Sequence, residues 1–182
     1  MKKMIFLVLI ITVFFVPSAF AQFRLDLSVD VPAYIGITAS TDNEDINESI
    51  NFLKDVGTFV FPNGIVSYQI PIGPVKTGIG LKAYSLIIES VLWPVIYAEI
   101  DLSHIVINAN IGGLGYYWFG IIPNLGFETS SVIVPDLNIA VKLGKTFRLG
   151  IGAMAFPGIK GLETITPYTI YLTGRFSILF DK

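Results

Sequence analysis

No cysteine occurs among the 182 residues, and there is a single histidine. The first absence excludes a disulfide framework, a thiol nucleophile and any Cys-based metal site. The second leaves one imidazole to serve as a base near neutral pH. Charge is scarce too: Asp, Glu, Lys and Arg make up 14% of the chain, against roughly 25% in ordinary soluble domains. With 12 Lys and Arg against 14 Asp and Glu, there is no basic footprint for nucleic acid. Gly112-Gly113-Leu114-Gly115 and Gly78-Ile79-Gly80 are glycine-rich, but neither lies between a buried strand and a helix, so no phosphate cradle follows. The sequence has no metal-ligand cluster, nucleotide motif or clear repeat, and no cofactor is expected.

Residues 1–21 are laid out as a secretory signal peptide. Lys2 and Lys3 precede an apolar run from Met4 to Val16, and Ala19-Phe20-Ala21 forms a small-x-small cleavage site. The run falls short of the roughly 20 residues a spanning helix needs. Cleavage is expected after Ala21, with no cysteine following to carry a lipid. Residues 22–182 have the length of one domain, and losing Lys2 and Lys3 makes that domain more acidic than the whole.

What the mature chain has in abundance is alternation. Tyr168, Ile170, Leu172, Gly174, Phe176, Ile178 and Phe180 share one parity, while Thr169, Tyr171, Thr173, Arg175, Ser177 and Leu179 share the other. A β-strand turns successive side chains to opposite faces, so one face here is apolar and the other mostly polar. Phe23, Leu25, Leu27, Val29 and Val31 repeat the pattern against Arg24, Asp26, Ser28 and Asp30. Shorter alternating runs follow at 66–72, 79–83, 96–102, 105–111, 137–143 and 147–153, separated by turn signals.

Two regions interrupt the rhythm. Residues 40–62 carry Asp42, Glu44, Asp45, Glu48 and Asp55, and form a long acidic loop. Within it Ile46, Ile50 and Leu53 have the spacing of one face of a short helix capped near Thr41 or Asp42. Carboxylates without EF-hand spacing read as a solvated loop rather than a calcium site. The stretch from Leu102 to Phe127 has no Asp, Glu, Lys or Arg, yet Gly112, Gly113, Gly115, Gly120 and Pro123 argue against a spanning helix. It reads as two strands joined near 112–117, with Tyr116, Tyr117, Trp118 and Phe119 placed as an interfacial aromatic cluster.

A weak window at 118–128 brings the strand windows to nine, whereas single-chain bacterial barrels have even numbers. The apolar parity shifts at Ser103-His104. A bulge there would merge two windows into one strand and give eight, the count expected; a turn there, with another missed strand, would give ten. Pro32, Pro71, Pro94 and Pro123 fall in or beside the windows and mark strand ends or bulges.

Alternation suits both a water-facing barrel and a lipid-facing one. Scarce charge, 13% aromatic residues and a polar parity that mixes glycine with both signs of charge favour lipid outside. That parity assigns Arg24, Asp26, Asp30, Lys82, Glu99, Lys142, Arg148 and Arg175, together with Asp101, to a narrow lumen filled by ion pairs. The expected fold is all-β: an antiparallel up-and-down transmembrane β-barrel of eight strands, ten being the alternative, after the signal peptide.

The last strand, with Tyr168, Ile170, Leu172, Phe176, Ile178 and Phe180 on its apolar face, resembles the closing strand of bacterial outer-membrane β-barrels. The mature chain resembles small barrels of the OmpX, OmpA-transmembrane and OmpW type. The resemblance implies the bacterial outer membrane, contact with its lipid, and recognition of the closing strand by the barrel-assembly machinery. It also implies a non-enzymatic role in structure, surface interaction or small-solute passage. The other readings are a soluble periplasmic lipocalin-like carrier of an apolar ligand and a membrane-embedded lipid-modifying enzyme. For the enzyme, His104 is the one candidate base, with Ser103, Glu99 and Asp101 nearby. On a single strand Ser103 would point away from His104, and Val106 stands where a His-x-Ser spacing needs serine, so no enzyme is expected. An extracellular ligand, if there is one, would meet loop 40–62.

Overall fold

The alternating runs become strands, and each strand pairs along both edges. A computed structural model describes residues 22–38, 60–86, 89–121, 126–159 and 165–180, with Glu48 and Asn51 as isolated positions. The strands are β1 (Gln22–Ile37), β2 (Phe61–Ile72), β3 (Val75–Ser85), β4 (Glu89–Asp101), β5 (Ile105–Gly120), β6 (Phe127–Leu143), β7 (Phe147–Ala155) and β8 (Pro167–Phe180). Each is antiparallel to the next, and β1 pairs with β8 from Phe23↔Phe180 to Ile37↔Pro167, closing the barrel. The fold is therefore the all-β, up-and-down, eight-stranded barrel expected from the alternation.

Eight is the expected count, but it arises by a different route. Ser103-His104 is a turn, not a bulge: the Leu102 amide donates to the Ile105 carbonyl at 2.9 Å, and the parity shift marks the change of strand. Residues 105–120 form one strand rather than two joined near 112–117. The window at 118–128 straddles the connection between β5 and β6. What misled there is a bulge. The β5–β6 register jumps between Gly113 and Gly115, and Leu114 sits between them at φ 69°. Leu114 alone stands opposite residues 130–132, so two surplus residues on β6 disrupt the ladder locally, and Leu114 turns outward against the parity of its strand.

The prolines lie where a missing N–H is tolerated. Pro32 stands at the β1–β8 register shift, Pro94 inside the β4–β5 shift, and Pro71 near the end of β2. Pro123 and the Ile46, Ile50 and Leu53 stripe lie outside the described residues.

The two ends of the barrel differ. Gln22, Phe180 and the connections at 73–74, 102–104 and 144–146 share one end, called the turn side below. The connections at 38–60, 86–88, 121–126 and 156–166 share the other, the loop side. Outward positions are apolar along every strand, among them Leu27, Val66, Leu81, Ile96, Ile111, Ile139, Ile151 and Leu172.

Inside, two glycines make room for rings. A Cβ on Gly112 would lie 2.4 Å from Cδ1 of Trp93, and one on Gly152 would lie 2.3 Å from Cζ of Tyr171. Both contacts are with rings wedged in a filled interior, so neither can yield cheaply. Gly112→Ala and Gly152→Ala should each lower stability by about 1–3 kcal/mol, read from urea unfolding of the detergent-folded barrel. Gly126→Ala, where a Cβ meets open space, is the control and should have little effect. Equal losses at all three positions would refute the packing explanation.

Candidate functional site

The lumen is where the chain gathers its chemistry, and it is layered. On the turn side Glu99, fully buried, is the hub. Its Oε1 and Oε2 accept from Nη1 and Nη2 of Arg24 at 2.7 and 2.9 Å, a bidentate pairing. Oε2 also accepts from the Tyr97 hydroxyl at 2.7 Å and from Nη2 of Arg175 at 3.3 Å. Arg24 donates its Nε to Asp26 at 2.9 Å and its Nη2 to Ser177 at 3.1 Å. Nη1 of Arg148 donates to the same Ser177 hydroxyl. At the rim Asp101 accepts from Nζ of Lys76 at 2.7 Å and from Lys142, which ties β3, β4 and β6 together across the mouth.

The middle layer is built on Asp136. It pairs with Nζ of Lys82 at 2.7 Å and accepts from the Tyr171 hydroxyl. Asn108, Asn110 and Asn138 adjoin it, with Nδ2 of Asn110 donating to Oδ1 of Asn108 at 2.9 Å. Asp30 accepts from Nδ2 of Asn63 at 2.8 Å. The pocket enclosed by these residues has ≈10 Å³ of room for the centre of a water molecule, space for about one water.

On the loop side the lumen turns aromatic. Phe61, Tyr84, Trp93 and Tyr116, one each from β2 to β5, follow one another with ring centroids 5.8, 6.3 and 6.0 Å apart. Val91, Val134 and Met154 belong to the same buried cluster. The Lys82 ammonium lies 5.8 and 5.9 Å from the centroids of Tyr84 and Trp93, joining this arc to the charged layer by cation–π contact.

The eight lumen residues named from the sequence fall into these layers. Arg24, Asp26, Asp30, Lys82, Glu99, Arg148 and Arg175 are buried, and Lys142 is half-buried at the turn-side rim. Sequence reasoning did not single out Asp136 or Lys76. Asp136 shares the parity of Asn138, Ala140 and Lys142, but it stands beside Pro135, just ahead of the alternating run at 137–143. The aromatic arc gave no signal, because its members sit on the polar parity and meet only through cross-strand register. Of the expected interfacial cluster, Tyr117 and Phe119 do stack on the outside at 6.1 Å, but Tyr116 points into the lumen and donates to the Val132 carbonyl.

Ser103 and His104 are exposed on their turn. The turn, unlike a single strand, lets Oγ of Ser103 come within 3.0 Å of Nδ1 of His104. The carboxylates that would orient a catalytic base are engaged elsewhere: Glu99 with arginines inside the lumen, Asp101 with Lys76 and Lys142. Among the described residues no carboxylate is bonded to His104 to orient it as a base.

No family model matches the chain, and no curated protein does either. Three solved structures share the general shape. The N-terminal β-barrel domain of Pseudomonas aeruginosa OprF aligns at 7% identity and a TM-score of 0.46, covering 87% of this chain and 99% of that domain. Neisserial surface protein A aligns at 9% and 0.46, covering 86% of this chain and 97% of its own. Ail, the attachment invasion locus protein of Yersinia pestis, aligns at 6% and 0.34, covering 87% and 97%. No residue role is transferred from them; the eight-stranded architecture stands on the strand pairing of this chain.

Removing the hub charge strands buried arginines. Glu99→Gln should cost about 3–5 kcal/mol of stability, whereas Lys142→Met at the half-open rim should cost under about 1 kcal/mol. Both are read from denaturant unfolding, and similar losses would mean that Glu99 is not the organising charge. His104→Ala should leave the unfolding midpoint unchanged and alter no lipid acyl chain in a mass-spectrometric profile of the host envelope. A lipid change on that substitution, with the barrel intact, would reinstate the enzyme reading.

Proposed function

We propose that this protein is a non-enzymatic integral barrel of the bacterial outer membrane, with a closed lumen and its loops presented at the cell surface. The observation that carries the reading is the outward face. It is apolar along every strand, and aromatic side chains gather toward both ends. On the turn side these are Phe23 against Tyr68 at 5.2 Å and Phe147 against Phe176 at 4.8 Å. On the loop side they are Tyr34 against Tyr168 at 5.9 Å and the Tyr117–Phe119 pair. Along β1 the two belts fall at Phe23 and Tyr34, a separation that matches the roughly 9–11 tilted residues needed to cross a bilayer. In water the same surface would be an apolar patch far beyond the few hundred Å² that soluble monomers tolerate.

The lumen supports the rest. A carrier of apolar ligands needs an empty apolar interior, and this one is filled by ion pairs at one end and rings at the other. The same filling opposes solute passage, so a structural or surface-interaction role is favoured over a pore. Outer-membrane barrels keep tight turns on the periplasmic side, which assigns the long connection at 38–60 to the outside. Glu48 and Asn51 are exposed within it, and an extracellular partner would meet the protein there. The signal peptide, lipid contact and delivery of the β8 strand to the assembly machinery belong to the same reading.

The decisive experiment pairs fractionation with protease treatment of intact cells. The protein should sediment with the outer membrane, be cut within Asp42–Asp55, and show no steady conductance in a planar bilayer. Recovery in the soluble periplasm, or protection of 42–55 with cutting near Gly73-Pro74, would overturn the location or the orientation. An open-pore current would overturn the closed lumen.

A further inference from the structure

The charges in the lumen are unevenly distributed. Lys142, Arg148 and Arg175 stand side by side on β6, β7 and β8, since Lys142 pairs across with Arg148 and Arg148 with Arg175. All three are turned inward, and like charges directly opposite one another destabilise a sheet. The outer two are compensated, Lys142 by Asp101 and Arg175 by Glu99. The middle one is not: among the described residues Arg148 forms no ion pair, and its hydrogen bond goes to the neutral hydroxyl of Ser177. Arg148 and Arg175 are only 6% and 4% exposed, and Nε of each is a buried donor without a hydrogen-bond partner. Ser177 in turn donates to Asp26, so Arg148 reaches a carboxylate only through that hydroxyl. A buried guanidinium with neither a direct counter-charge nor a full set of acceptors is strongly unfavourable.

We propose that the turn-side lumen binds a small inorganic anion of halide size at Arg148, with Arg175 and Lys142 flanking it. The chemistry selects the ligand. Unpartnered N–H donors with surplus positive charge call for an acceptor that is itself negative, which excludes a metal cation and makes a neutral solute a poor substitute. Arg148 is the second residue of β7, immediately above the turn at 144–146, so the ion enters from the turn-side mouth. The site rests on the placement of charge in the lumen and not on the membrane location.

Chloride and gluconate at matched ionic strength separate binding from screening, with the melting temperature of the detergent-folded barrel as the readout. Chloride should raise it saturably above gluconate. Arg148→Gln should abolish that difference and melt higher than the unmodified protein in gluconate. An equal chloride response in Arg148→Gln, or none in the unmodified barrel, overturns the proposal. A response that emerges only in Asp181→Asn also overturns it, because the chain's own tail would then be the counter-charge. Should Arg148→Gln fail to fold, crystals of the unmodified protein soaked in bromide decide the matter. An anomalous peak within hydrogen-bond distance of the Arg148 guanidinium is expected, and its absence there refutes the site.

Discussion

The structure depends on one ladder, that between β1 and β8. A sheet with an apolar outer face has nowhere to leave an edge: in hydrocarbon each unsatisfied N–H or C=O costs several kcal/mol, and only closure removes the edge. The register from Phe23↔Phe180 to Ile37↔Pro167 supplies that closure along nearly the whole of both strands. Once the ring is shut, alternation leaves the polar parity no place but the lumen. The rest is a problem of neutralising and filling a narrow tube. Among the described residues six cations (Arg24, Lys76, Lys82, Lys142, Arg148 and Arg175) share the lumen with six carboxylates (Asp26, Asp30, Glu89, Glu99, Asp101 and Asp136). The signs balance overall but not by height, because five of the cations and only three of the carboxylates lie on the turn side.

Much of the fold was legible because strand periodicity is a local property. Phe23 to Val31 and Tyr168 to Phe180 declare their two faces without reference to any other part of the chain. Tight turns were less visible. Ser103-His104 has neither glycine nor proline, so the change of strand there looked like a slip within one. The bulge at Leu114 produced the opposite error and split a continuous strand. Residue contacts lay further out of reach. Parity says that Glu99 and Arg24 both face inward, but their meeting across the lumen depends on tilt and on the register of every intervening strand. The aromatic arc is the clearest instance. Phe61, Tyr84, Trp93 and Tyr116 are scattered along the sequence, and only three consecutive registers bring them together.

The two kinds of filling have different mechanical characters. The ion layer is held by directional bonds to a few atoms of Glu99 and Asp101, so one lost charge disturbs several partners together. The aromatic arc relies on area and shape, and its Trp93 ring lies over Gly112, where the wall has no side chain to push back. The barrel is thus filled by rings toward the loops and by charges toward the turns.

The adjacency of the first and last strands also dictates a timetable. Every other pairing joins consecutive strands, whereas β1 must wait for β8, which is synthesised last. Until then the sheet is an open ribbon with two raw edges and an inner face still wet. Arg24 cannot hold Ser177 before the final strand docks, and Arg175 cannot reach Glu99. The interior is thus completed in one late event of very long sequence separation, of the kind that makes folding slow. A chain cut short before Pro167 would lose a whole wall and the closing seam with it.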